Sequence, residues 1–381
     1  MMSGFRSSRQ KALSRLCALM AAAAAVAGCS GTGGARTTRD KPDPVPVGSR
    51  MPEEGERHQR TYMAYPSEQI WEQDTPGVRS EVAAVARAIA EYEPVTLLAD
   101  PQDAAEARKA VGPEVTVMEQ PVEDLWIRDS GPTFIRTGQG LAGIDFHFNG
   151  WGNKREHPRD AKVAARILSE EGVRRVSAPL TAEGGSLEVD GAGTLLVTES
   201  SLVNDNRNPG KSRDQIESEL KELLGVRKVI WVKGVKGKDI TDYHIDSLAR
   251  FVRPGVVVMS RPAPGTVDDD FTRAYQQARD VLGKATDAEG RTLQIIGITE
   301  ADPGKAGQHG ADFLGSYVNY YLVNGAVIMP RFGDKGADQR AAAQVRELYP
   351  GREVRQLDIS TIATGGGGIH CATQQRPQDG P

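Results

Sequence analysis

A single thiol, Cys371, stands near the end of the chain in Gly365-Gly366-Gly367-Gly368-Ile369-His370-Cys371-Ala372-Thr373-Gln374-Gln375-Arg376-Pro377. The glycines before it let the backbone approach a ligand closely. The only other cysteines, Cys17 and Cys29, fall in an N-terminal segment set apart below. A thiol without a partner is either a small buried hydrophobe or a nucleophile, and the cysteine alone leaves both open. A nucleophile needs a proton carrier and a means of gripping its substrate. Asp242-Tyr243-His244-Ile245-Asp246 offers both. If that stretch is extended, His244 and Asp246 share a face, the imidazole to move protons and the carboxylate to bind a cation. The alternative is a surface turn. His370, beside Cys371 in what reads as an extended run, is expected to point to the opposite face, which argues against it as the base.

Three other stretches fall outside the periodic runs. Glu123-Asp124-Leu125-Trp126-Ile127-Arg128-Asp129-Ser130 packs acids, an arginine and a tryptophan ahead of Gly131-Pro132. It reads either as a site segment or as a solvated loop with Trp126 in the core. Thr181-Ala182-Glu183-Gly184-Gly185-Ser186 places an acid on a double-glycine turn. Phe146 to Gly152 reads as a strand end with core aromatics.

The elements that must position these residues alternate. Helical spacing runs over 81–91, 103–111, 160–171, 213–224, 268–282 and 338–348. Short apolar runs of strand length cover 95–99, 115–118, 193–197, 228–232, 255–259, 293–296 and 325–329. No break in composition divides them, so residues 51–378 are expected to form one α/β domain.

The chain has 381 residues with Lys+Arg 47 and Asp+Glu 51, a formal net charge of -4. That balance argues against a nucleic-acid partner, which needs a basic face. At the N-terminus Arg6, Arg9, Lys11 and Arg15 precede an alanine-rich apolar run, 16–27, too short to span a bilayer comfortably. Residues 1–28 read as an export signal. Val26-Ala27-Gly28-Cys29 resembles the lipobox of bacterial lipoproteins, which implies lipidation at Cys29 and a membrane link through that anchor only. An ordinary cleaved signal is the alternative. Residues 29–50, Gly/Thr/Arg-rich and then Pro/Asp-rich, are expected to be a flexible tether. The protein is therefore expected outside the cytoplasm, anchored at the outer face of the cytoplasmic membrane or secreted.

Taken in order, Trp126-Ile127-Arg128-Asp129-Ser130-Gly131-Pro132, Phe148-Asn149-Gly150-Trp151-Gly152, Glu183-Gly184-Gly185-Ser186, Asn206-Arg207-Asn208-Pro209, His244-Ile245-Asp246, Ser316-Tyr317-Val318-Asn319 and the run 365–375 resemble the agmatine deiminase family, together with the bacterial peptidylarginine deiminases of the same guanidine-modifying group. No one motif is decisive; their joint order is specific. The resemblance implies a five-bladed pseudo-symmetric α/β propeller of ββαβ units with the site in its central channel. It implies Cys371 as nucleophile, His244 as general acid and base, and Asp129 and Asp246 gripping the guanidinium. Glu183, Trp126, Asn319 and Gly368 are implied on the substrate side. It implies no metal or organic cofactor. Three positions depart from the family's usual residues: Gly368 and Ser247 where it has Asn, and Tyr243 where it has Gly. They bear on the substrate's tail more than on the reaction.

The reaction so implied is hydrolysis of a guanidinium C–N bond, converting agmatine to N-carbamoylputrescine, or a peptidyl arginine to citrulline. Two further readings stay open: Cys-His acyl transfer, and an anchored protein that binds cationic amines without turnover. An ordinary thiol, with a pKa of about 8.5, is mostly neutral at pH 7, so activity is expected to depend on pH around and above neutrality. The sequence carries no indication of oligomeric state.

Overall fold

Residues 44–307, 310 and 312–380 are described in the computed structural model. The export signal, Cys29 and the tether as far as residue 43 lie outside them. The last residues read as tether pack on the domain: the Arg50 N–H donates to the Arg136 carbonyl at 2.8 Å, and Val45 lies against core residues.

The strands fall into five separate sheets of mixed α/β structure, built to one plan. Thr133–Thr137 and Gly140–Asp145 pair antiparallel, and Arg174–Ser177 then adds parallel to the second. Glu188–Val189, Thr194–Thr198 and Lys228–Val232 repeat the arrangement. So do Ala249–Arg253, Val256–Arg261 and Gln294–Thr299, and again Tyr321–Val323, Ala326–Arg331 and Glu353–Asp358. In each, a helix links the second strand to the third: Val163–Glu170, Arg213–Leu224, Asp270–Leu282 and Lys335–Leu348. A parallel neighbour needs such a crossover, and the helix covers the sheet. The middle strands are therefore buried and apolar, as in Val256, Val257, Val258 and Met259.

The remaining sheet joins the two ends of the domain. His58–Ala64, Val95–Ala99 and Val115–Glu119 run parallel, and Gln374–Pro377 pairs antiparallel with the first. Thr61 faces Gln375 and Tyr62 faces Gln374. This long-range pairing fixes the segment immediately after Cys371. Gln374–Pro377 contains no apolar side chain except its proline, yet every residue is buried. Its polar groups find partners: Gln375 accepts from the Arg128 guanidinium at 2.8 Å, and Arg376 lies 2.8 Å from Glu171.

Candidate active site

The chemistry-bearing residues sit on turns between strands. Asp129 lies in the single helical turn Ile127–Ser130, which Trp126 precedes. Glu183 opens the short turn Gly184–Ser186, and His244 opens the turn Ile245–Ser247 that carries Asp246. The expected extended geometry of 242–246 is absent. Asp242 and Tyr243 have φ of 59° and 68°, and only His244 is extended before the chain turns. The side chains of His244 and Asp246 nonetheless face one point. A Cβ on Gly185 would lie 2.7 Å from His244 Nδ1, 3.0 Å from Asp129 Oδ1 and 3.1 Å from Asp246 Oδ2.

Cys371 meets this cluster at Asp246. Its Sγ lies 3.4 Å from Asp246 Oδ2, and the Asn319 side-chain amide donates to Sγ at 3.2 Å. Asn319 also accepts from the backbone N–H of His370 at 3.1 Å. This fully buried amide is thus turned onto the thiol and its loop. Gly368 lies against it, since a Cβ there would come within 2.6 Å of Asn319 Oδ1. Trp126 stands further out, its ring 6.1 Å from that of Trp71, lining a cavity of about 230 Å³ with Asp124, Arg155 and Gly365.

The run 365–372 coils into turns instead of extending, and His370 does not point away. Its Nδ1 is 2.8 Å from Asp246 Oδ2 and its Nε2 is 2.8 Å from Glu54 Oε2. With a carboxylate oxygen at each ring nitrogen, both nitrogens are placed to donate. Cys371 and His370 therefore approach the same carboxylate. Trp151, read from sequence as a core aromatic, donates from Nε1 to Asp129 Oδ2 at 2.9 Å. Sequence reasoning missed Glu54 and the positioning of Asp129 by Trp151. Neither carries a local signal, because each acts through a contact made only in the folded chain.

The charges set the protonation states. Burial pulls the His244 pKa down, but Asp129 at 3.7 Å, Glu183 at 3.3 Å and Asp246 outweigh it and bring it to about 9. Burial would raise Asp246, yet His370, His244 and Arg250 hold it at about 2. Burial dominates at Asp129 and raises it, with the charges of Asp246 and Glu183 adding and His244 opposing. Cys371 is pushed well above the ordinary thiol range, first by burial and then by Asp246 and Asp129. The resting site therefore holds a protonated imidazole and a neutral thiol at pH 7. It carries more negative than positive charge around the sulfur, a setting that favours a cationic ligand.

Behind His244 lies a buried brace. Arg207 donates from Nε to Glu183 at 2.7 Å and from a terminal nitrogen to Asp242 at 2.7 Å, with side-chain exposures of 0%, 0% and 1%. Burial raises the Glu183 carboxyl, but Arg207 and His244 bring it below its usual value. Arg207→Met should strand Glu183 and cost about 3–5 kcal/mol. The check is urea unfolding of the purified variant; a midpoint equal to that of wild type would show that the ion pair is not needed.

A family model described as Porphyromonas-type peptidyl-arginine deiminase matches residues 50–377. The chain is 39% identical over 355 residues to the agmatine deiminase of Stutzerimonas stutzeri, covering 87% of this chain and 96% of that one. It is 37% identical over 363 residues to the agmatine deiminase of Medicago truncatula, again covering 87% and 96%. Among solved structures it resembles the agmatine deiminase of Enterococcus faecalis, at 31% identity and a TM-score of 0.79, covering 87% of this chain and 96% of that chain. These matches place the chain among the hydrolases that act on carbon–nitrogen bonds. It belongs to the Porphyromonas-type peptidyl-arginine deiminase family.

Proposed function

We propose that the protein hydrolyses the guanidinium C–N bond of agmatine, releasing ammonia and N-carbamoylputrescine. The observation that carries this reading is the convergence of Asp129, Asp246 and His244 on Gly185, with the thiol of Cys371 touching one of those carboxylates. A guanidinium is planar and resonance-stabilised, so its carbon is a poor electrophile. Carboxylates accepting its N–H groups bind the cation and fix its plane for attack. Its charge also offsets the acids that hold the thiol neutral, so substrate binding promotes the thiolate.

Sγ then bonds to the guanidinium carbon. The tetrahedral adduct collapses by breaking a C–N bond, and the His244 imidazolium protonates the departing nitrogen as ammonia. Water adds to the remaining thiouronium carbon, losing a proton to His244, and C–S cleavage returns the thiol and a ureido product. Glu183 holds the imidazole through Nε2, and His370 holds Asp246. We place the site in the channel of a five-bladed propeller. The repeated sheet plan and the pairing of Gln374–Pro377 with His58–Ala64 support that arrangement.

The active form carries one proton between Cys371 and His244, wherever it resides before attack. With His244 near 9 and the thiol higher, the free enzyme below pH 9 holds two protons there, and one must leave. The value of kcat/KM should therefore rise about tenfold per pH unit from 6 to 8 and level off near 9. A flat profile between pH 5 and 9 would contradict the scheme.

Peptidyl arginine is the second reading, favoured by the family description and by the exposed Arg155 near the cavity of Trp126. Lys154 is engaged elsewhere, donating to Asp242 at 2.8 Å. Ammonia and ureido product measured with agmatine against an arginine peptide decide between them, and turnover of the peptide alone would overturn the agmatine reading. Export with lipidation at Cys29 rests on the basic and apolar N-terminal pattern. Among the described residues no helix is long and apolar enough to cross a membrane. The mass of the mature N-terminus tests the anchor.

A further inference from the structure

A cavity of about 530 Å³ opens beside the reacting groups. Tyr243 and Ser247, next in sequence to His244 and Asp246, are in its lining, as are Gly365 and Gly366 of the cysteine loop. Its charges are uneven, with Asp239, Asp269, Glu300 and Asp312 against Arg155 and Lys238. Lys238 is drawn toward Asp270, 3.4 Å away and outside the lining.

One wall is aromatic. Tyr243 and Phe271 stand edge to face with centroids 5.2 Å apart. Tyr243 holds a backbone φ of 68°, unusual for a bulky residue. The surrounding loop imposes it: the Tyr243 N–H donates to Asp239 at 2.8 Å, and the Tyr243 carbonyl accepts from the Thr198 hydroxyl at 2.8 Å. Among the described residues nothing engages the Tyr243 hydroxyl. Glu300 gives one carboxylate oxygen to the Ser260 hydroxyl at 2.8 Å, and Asp269 gives one to the Thr272 N–H at 2.8 Å. The second oxygen of each meets no partner among the described residues. Burial, and after it the charge of Asp269, holds the Glu300 carboxyl above its ordinary range. Burial followed by the charge of Glu300 raises the Tyr243 phenol. Two carboxylates close enough to oppose each other's ionisation, beside an aromatic pair, are stabilised by a cation between them.

We propose that this cavity is the subsite for a second positive charge on the substrate, an alkylammonium held by Glu300 with Asp269 and lying against Tyr243 and Phe271. The proposal rests on the deiminase reading for the other end of the ligand, the guanidinium. It assigns the substrate class as a guanidinoalkane with a terminal ammonium, and disfavours peptidyl arginine, whose far end is a neutral amide.

The test compares agmatine with n-butylguanidine, which has the same guanidinium and carbon chain but no ammonium, on full-length wild type, Glu300→Gln and Tyr243→Leu. Glu300→Gln should lower kcat/KM for agmatine about 10- to 100-fold, the loss of one charge-assisted contact. Tyr243→Leu should lower it several-fold, and both should leave n-butylguanidine unchanged. Equal losses on both compounds, or no loss on either, would overturn the subsite. If wild type releases ammonia from neither compound, the deiminase reading fails, and the subsite is read separately by calorimetric titration with 1,4-diaminobutane. Weaker binding by Glu300→Gln than by wild type upholds it. Equal binding, or none to wild type, overturns it.

Discussion

Cys371→Ala is expected to abolish ammonia release from agmatine, by about four orders of magnitude or more, while agmatine still binds. The sulfur is the only soft nucleophile among the groups that meet at the site, and the carboxylates beside it repel hydroxide and other anions. Without the thiol, water would have to attack a resonance-stabilised cation directly. Binding should survive because Asp129 and Asp246 carry it, and neither is held in place by the sulfur. Asp129 is fixed by the Gly185 N–H at 3.0 Å and by Trp151, and Asp246 by His370. The fold should survive too, since the change removes one small group from a loop that Asn319 also clamps through backbone bonds. Ammonia release at wild-type rate by the alanine variant would end the nucleophile assignment. Loss of both turnover and agmatine binding, read by calorimetry, would show the thiol to be part of the binding surface instead.

Gly185→Ala should be nearly as damaging to turnover, although it adds only a methyl group. That methyl would stand 2.7 Å from His244 Nδ1, 3.0 Å from Asp129 Oδ1 and 3.1 Å from Asp246 Oδ2, all inside ordinary contact distance for a carbon. Three separate groups cannot all retreat, because each is braced from behind: His244 by Glu183 at 3.3 Å, Asp129 by Trp151 at 2.9 Å, Asp246 by His370 at 2.8 Å. Displacements of this kind near a reacting centre cost about 100-fold in rate. The expected result is a fall of at least about that size in kcat, with a far-ultraviolet dichroism spectrum like that of wild type. Wild-type turnover in a folded Gly185→Ala enzyme would show that the three side chains do not work at this point.

Those two outcomes depend on residues that differ in how far the sequence announces them. Cys371, His244, Asp246, Asp129 and Glu183 all stand out because they are polar, reactive and outside the periodic runs, which is where turns between strands fall. Their meeting at Gly185 is a product of the fold. His370 misleads because four glycines and a thiol read as an open, extended approach, whereas the segment coils so that neighbours in sequence approach the same carboxylate. Trp151 looks like core for a sound reason, since its ring is buried; only its indole N–H, aimed at Asp129, makes it part of the site.

The fold divides in the same way. Strands buried on both faces, such as Thr194–Thr198 and Ala326–Arg331, are continuous apolar runs and show in the sequence. Outer strands do not. Glu353–Asp358 alternates charge with half-buried apolar residues, and Gln374–Pro377 is almost wholly polar and becomes a strand only by pairing with His58–Ala64. That pairing joins the two ends of the domain, and no local pattern encodes it. The reach of Glu54 to His370 is invisible for the same reason.

The most direct measurement is the intact mass of the enzyme quenched with acid during agmatine turnover. The account predicts a population heavier by agmatine less ammonia, mapped by peptide digestion to Cys371 and missing from Cys371→Ala. Unmodified Cys371 throughout a turnover that continues to release ammonia would contradict it.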